Sequence, residues 1–152
     1  MSDFIQIEDW LAALASQLNP VARKKLTRQW ANELRRRQRL QISQQRNPDG
    51  TPYAERKPQG RNKKGRIRRK MFSKLQTTRF MKTATTADEA AVYFASSVMR
   101  IARVHHYGLR DKVSKRGPTV KYDARQLFGL NDPAITAVRD ILILHLSKNR
   151  NS

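Results

Sequence analysis

Asp49, Glu55 and Lys57 lie in "PDGTPYAERK", a PD followed by E-x-K. Metal-dependent nucleases use that order of groups. Such a site needs the two carboxylates on adjacent strands around Mg²⁺, with the lysine near the scissile phosphate. Here Gly50, Thr51 and Pro52 lie between the carboxylates, and no apolar run flanks them. A turn followed by a solvated loop accounts for the same residues. His105 and His106 are adjacent, so on a helix they diverge by about 100° and cannot grip one ion together. His145 is the third histidine of the chain, and no H-x-x-x-H spacing occurs. His105 is expected as a packed core or interface residue rather than a ligand. There is no cysteine, hence neither disulfide nor thiolate site. No nucleophile–base set, phosphate-cradling glycine loop or carboxylate dyad stands out, so the reading is a non-enzyme without metal or cofactor.

The strongest chemical signal is charge. Between Glu55 and Met71 nine of seventeen residues are basic: Arg56, Lys57, Arg61, Lys63, Lys64, Arg66, Arg68, Arg69 and Lys70. After Glu55 the next acid is Asp88. The chain carries 32 basic against 12 acidic residues, a net charge of +20. Repulsion of that size opposes compaction and selects polyanions or acidic protein surfaces as partners. Closely spaced cations are all that phosphate binding requires. Stacking aromatics are sparse, with Tyr53 before the segment and Phe72 after it, so single-strand or sequence-specific readout lacks its platforms.

The elements that must position these groups follow from periodicity. Ile7, Trp10, Leu11, Leu14 and Leu18 predict an amphipathic helix over 5–18. Asn19-Pro20 stops it and starts a second, with Asn19 as cap and Pro20 first inside. Ala22, Leu26, Trp30 and Leu34 form its apolar stripe, Ile42 extends it, and Arg35, Arg36, Arg37 and Arg39 lie opposite. Residues 5–46 thus read as a helix pair. "NPDGTPY" ends it, and 47–70 reads as a basic loop that cannot bury itself. Residues 71–75 allow a short helical turn. Phe80, Ala84, Val92 and Phe94 predict two strands around "TADE". Val98, Ile101, Ala102 and His105 share a helical face that Gly108 terminates. Residues 109–119 read as a second basic loop and 120–130 as a strand or extended arm. In the terminal helix Asp132 caps, Pro133 sits first, and Ile135, Val138, Leu142 and Leu146 form the stripe. At 152 residues this is one α+β domain: helix pair, small antiparallel sheet, long basic loop and C-terminal helix. The N-terminus lacks the basic and apolar regions of a signal peptide, and "ILILHL" is too short to span a bilayer. No membrane partner is expected.

Four separated motifs, "NPDGTPYAERKP", "KKGRIRRKMFSKLQTTRFMK", "IARVHHYGLRDKV" and "KYDARQLFGLNDPAI", occur in this order. Together they resemble the tail completion protein S family of contractile-tailed phages, the phage virion morphogenesis proteins. The resemblance spans roughly 5–147, with Asp123 standing where it implies proline. It implies a structural virion protein made in the host cytoplasm and placed at the head-proximal end of the tail. There it would make tails competent to join heads. It also implies a homo-oligomeric ring, commonly hexameric, between tail tube or terminator and neck or connector proteins. Packaged DNA in the channel would then be close. A sequence-nonspecific nucleic-acid-binding protein is the alternative that charge alone supports. The basic residues of 56–70 are the partner or DNA-contact candidates. His105, Tyr107, Gly108, Arg125, Leu127, Gly129, Leu130 and Leu142 are the assembly or packing candidates.

Overall fold

A computed structural model describes residues 4–6, 13–56 and 70–150, with side chains at 13–56 and 70–148. The architecture is α+β. The longest helix, α1, runs Pro20–Ser43. Asn19 caps it, its Oδ1 accepting from the Ala22 N–H at 2.9 Å, and Pro20 occupies the first turn where no amide partner is needed. Leu26, Trp30, Leu34 and Ile42 are all buried on its inner face.

That face packs on a three-stranded antiparallel sheet ordered β1-β3-β2. β2 is Met81–Thr85 and β3 is Ala90–Phe94, paired from Met81↔Phe94 to Thr85↔Ala90. The hairpin stands where hydrophobicity places it, but the inward parity of β2 differs. Phe80 precedes the strand and Ala84 is exposed, while Met81 is buried. The third strand corrects the expected first helix. Phe4–Gln6 form β1 on the free edge of β3, with Ile5 opposite Val92. A period read along 5–18 cannot see a pairing partner more than eighty residues away. Helix is described only at 13–15. Leu18 is buried but Leu14 is 38% exposed, and Ile7, Trp10 and Leu11 lie outside the described residues.

After the sheet comes α2, Ser96–Tyr107, ended by Gly108 in the left-handed region at φ 67°. Its buried residues are Val98, Ala102 and Val104. Ile101, expected inside, is 51% exposed. The expected loop at 109–119 holds a strand, β4, Arg110–Lys112, which pairs with β5, Thr119–Lys121, at the start of the stretch expected as a strand or extended arm. The charged composition of β4 hid it, because Arg110, Asp111 and Lys112 show no apolar alternation. An extended arm, 122–131, then leads into α3, Asp132–Arg150. Asn131 rather than Asp132 caps that helix: Asn131 Oδ1 accepts from the Ala134 N–H at 2.9 Å. Val138 and Leu142 are buried against α1, flanked by half-buried Ile135 and Leu146. Trp30 Nε1 donates to the Val138 carbonyl at 2.9 Å and locks the two long helices together. No helix among the described residues is long and apolar enough to cross a membrane.

Candidate functional site

The basic segment leaves and re-enters the body at one place, the C-terminal end of α1. Two polar residues that interrupt the apolar pattern of α1, Gln38 and Gln41, are buried there. The Gln38 amide makes a two-way bond with the backbone of Gly129: Nε2 donates to the carbonyl at 2.8 Å, and Oε1 accepts from the N–H at 3.2 Å. Gln41 Nε2 and the Tyr53 hydroxyl both donate to the Gln126 carbonyl, at 3.2 and 2.8 Å. Asn47 Oδ1 accepts from the Gln126 N–H at 2.9 Å. The extended arm thus has no sheet partner among the described residues, yet side chains satisfy its backbone at Gln126, Leu127 and Gly129. Two glycines mark where it passes closest. A Cβ on Gly108 would sit 2.8 Å from the Ala124 nitrogen, and one on Gly129 would collide with the Pro48 ring.

Arg125 is the centre of this arrangement. It is 5% exposed. Its Nε donates to the Ala54 carbonyl at 2.8 Å and its Nη2 to the Glu55 carbonyl at 3.0 Å. Its own N–H donates to the His105 carbonyl at 2.8 Å. A buried guanidinium holding two carbonyls fixes the chain just before Arg56. Residues 47–56, expected as part of an unburied loop, are therefore docked. Gly50, Asp49 and Thr51 form a tight turn, and Tyr53 is buried, with burial pushing its hydroxyl up to about 12.

The far end of the segment is tied to the same spot. Gln45, at φ 57°, reverses the chain after α1. Its Nε2 donates to the Met71 carbonyl at 2.9 Å, and its Oε1 accepts from the Met71 N–H at 3.2 Å. Lys70 Nζ donates to the Ser43 carbonyl at 3.0 Å. The rings close the clasp: Tyr53 meets Phe72 edge-on at 5.8 Å, Phe72 meets His105 at 5.0 Å, and His105 meets Tyr122 at 4.8 Å.

The nuclease arrangement finds no support in this geometry. The Asp49 carboxylate accepts from the Thr51 N–H at 2.9 Å and the Thr51 hydroxyl at 2.5 Å, which holds its pKa below the usual range. It serves its own turn. Among the described residues no three His, Cys, Asp or Glu side chains come together as a metal site. Lys57 lies outside the described residues.

A family model described as phage virion morphogenesis matches residues 2–147. The chain belongs to the phage virion morphogenesis family. It is also similar to tail completion protein S of Escherichia phage P2, at 36% identity over 150 residues, covering 97% of this chain and 100% of that protein. No solved structure matches the chain.

Within this family member the sequence candidates divide by position. Leu127, Leu142, Gly108 and Arg125 are buried, Gly129, Leu130 and His105 are half-buried, and Tyr107 is 37% exposed. Arg56 and Lys70 are both exposed. Lys57, Arg61, Lys63, Lys64, Arg66, Arg68 and Arg69 lie outside the described residues. Sequence reading missed Gln38, Gln41 and Gln45. The signal for Gln38 was present, since it falls four residues after Leu34 on the inner stripe of α1.

The two histidines give this site a pH dependence. Burial lowers the pKa of His105, with Arg125 adding to the effect and Asp111 opposing it. His105 Nδ1 is buried with no hydrogen-bond partner. Burial also lowers His106, whose Nδ1 accepts from the Leu127 N–H at 3.2 Å and must be unprotonated to do so. Folded values below the unfolded 6.5 mean stability is complete above about 6.5 and is lost as pH falls through the folded values. The urea midpoint should therefore be lower near pH 5 than near pH 7.5. A His105→Phe/His106→Asn variant should show most of that difference removed. The remainder is assigned to His145, lowered chiefly by burial, and to Glu33, Asp49 and Asp111, whose carboxylates are held low chiefly by side-chain hydrogen bonds. Equal midpoints for the parent at both pH values would refute this.

Proposed function

We propose that this chain is a structural component of the phage tail that completes its head-proximal end and makes it competent to join a head. It acts as a subunit of a homo-oligomeric ring and performs no catalysis. The observation that carries this reading is the match to a tail completion protein, 36% identical over 97% of this chain and 100% of that protein. The clasp supports it. The body spends the buried polar groups of Arg125, Gln38 and Gln41, and the half-buried Gln45, on holding chain. In this reading the basic segment between Arg56 and Lys70 is offered to a neighbouring virion protein with an acidic rim. DNA in the channel is the second partner in reach of such charge.

The test is depletion and add-back. Particles made without the chain should accumulate as separate heads and tails, and purified protein should restore joining. Normal infectious particles in its absence would refute the role. An Arg66→Gln, Arg68→Gln, Arg69→Gln variant is expected to leave the body folded and to abolish restoration. Full restoration by the variant would remove the segment from the joining contact.

A further inference from the structure

The β4–β5 ribbon has two chemically different faces. Its register sets Arg110 opposite Lys121, Asp111 opposite Val120 and Lys112 opposite Thr119. Strand alternation puts Arg110, Lys112, Thr119 and Lys121 on one face, and all four are exposed. Asp111 and Val120 lie on the other and are half-buried. Exposed Leu109 and Val113 share the parity of Asp111, so the apolar residues beside the ribbon also belong to that second face. Asp111 accepts from Arg100 Nη2 at 2.5 Å, which fastens this second face to α2 and turns the basic face away from it. The turn adds Lys115 and Arg116, both exposed.

Two features need explanation. Like charges directly opposite across a ribbon are destabilising, and Arg110 faces Lys121. None of the five cations pairs with a carboxylate among the described residues. The acid closest beyond the ribbon in sequence, Asp123, lies 3.9 Å from Arg125 Nη2. A cost kept in the free chain is removed when an anion sits between the cations.

We propose that the basic face of the β4–β5 ribbon binds the phosphate backbone of double-stranded DNA. Phosphates are contacted by Arg, Lys and Thr, the residue types present on this face. A protein partner would call for apolar residues at the centre of the face and few lysines, and the face has the reverse. A two-stranded ribbon is also narrow enough for the major groove, about 12 Å wide. The contact is independent of sequence and uses residues other than those of the 56–70 segment. It does not rest on the ring or joining role.

The experiment measures binding of the full chain to a short random-sequence DNA duplex over a salt series. An Arg110→Gln, Lys112→Gln, Lys121→Gln variant should bind more weakly. Its slope of log affinity against log salt should fall by nearly 3, at about 0.9 per contact. Its thermal midpoint should match or exceed the parent's, because Arg110 no longer opposes Lys121, so a weaker binder is still a folded one. The same drop should appear in the Arg66→Gln, Arg68→Gln, Arg69→Gln background, which removes part of the other basic segment. An unchanged affinity and slope overturns the proposal. Unchanged DNA binding with loss of the variant from particles also overturns it, and assigns the face to an acidic protein surface.

Discussion

Trp30→Ala is expected to cost about 3–5 kcal/mol of folding stability, read as a fall in the urea midpoint at constant m-value. Trp30 is 1% exposed on the inner face of α1. Truncation leaves a cavity that α1, β3 and α3 cannot all close on at once, and it removes the Nε1 bond to the Val138 carbonyl. A domain of this size has about 5–15 kcal/mol in total, so the loss is a large fraction of its stability. Trp30→Phe keeps most of the volume and loses only the bond to the Val138 carbonyl, which keeps its helical partner, and should cost about 1 kcal/mol. A Trp30→Ala midpoint equal to the parent's would mean that α1 and α3 do not pack as described.

The second large effect is local in cause and remote in result. Arg125→Met keeps the length and apolar stem but leaves the Ala54 and Glu55 carbonyls unpartnered. Bonds to charged groups contribute about 1.5–3 kcal/mol each, so the loss should be about 3 kcal/mol or more. Arg125→Lys should recover only part of it, because an ammonium cannot hold two carbonyls with a planar fork. The distinguishing readout is proteolysis. In the variant, trypsin should cut at Arg56 faster than at Arg28 or Arg36 on α1, because the chain before Arg56 is released while the helix stays formed. Equal acceleration at all sites would show global unfolding and no clasp. Unchanged cleavage would show that Arg125 holds nothing.

Elements legible in the sequence were those whose partners are close in sequence. α1 and α3 announce themselves by apolar residues every three or four positions, and Asn19-Pro20 gives the first its start. β1 was misread because Phe4–Gln6 become a strand only by meeting Val92 and its neighbours on β3. β4 was misread as loop because Arg110, Asp111 and Lys112 are charged on both faces, whereas β5 opens the stretch read as a strand or extended arm. The basic segment was visible from composition alone. Its clasp was not, because an arginine in "DARQLF" looks like any other cation. Only the fold shows that its guanidinium is buried and spent on the Ala54 and Glu55 carbonyls.

The clasp has a consequence for how such a protein can diversify. Tyr53 and Phe72 touch, and Gln45, Lys70 and Arg125 pin both ends of the intervening chain to the body. Closure of that stretch is therefore already achieved by the fold, and doubling its length adds only about 0.6 kcal/mol. Its content can be exchanged as a cassette. Descendants facing a differently shaped or differently charged neighbour could rewrite the insert between two fixed posts without reworking the core. Grafting an insert from a distant relative between Arg56 and Lys70 would then transfer partner choice while leaving the melting temperature nearly where it was.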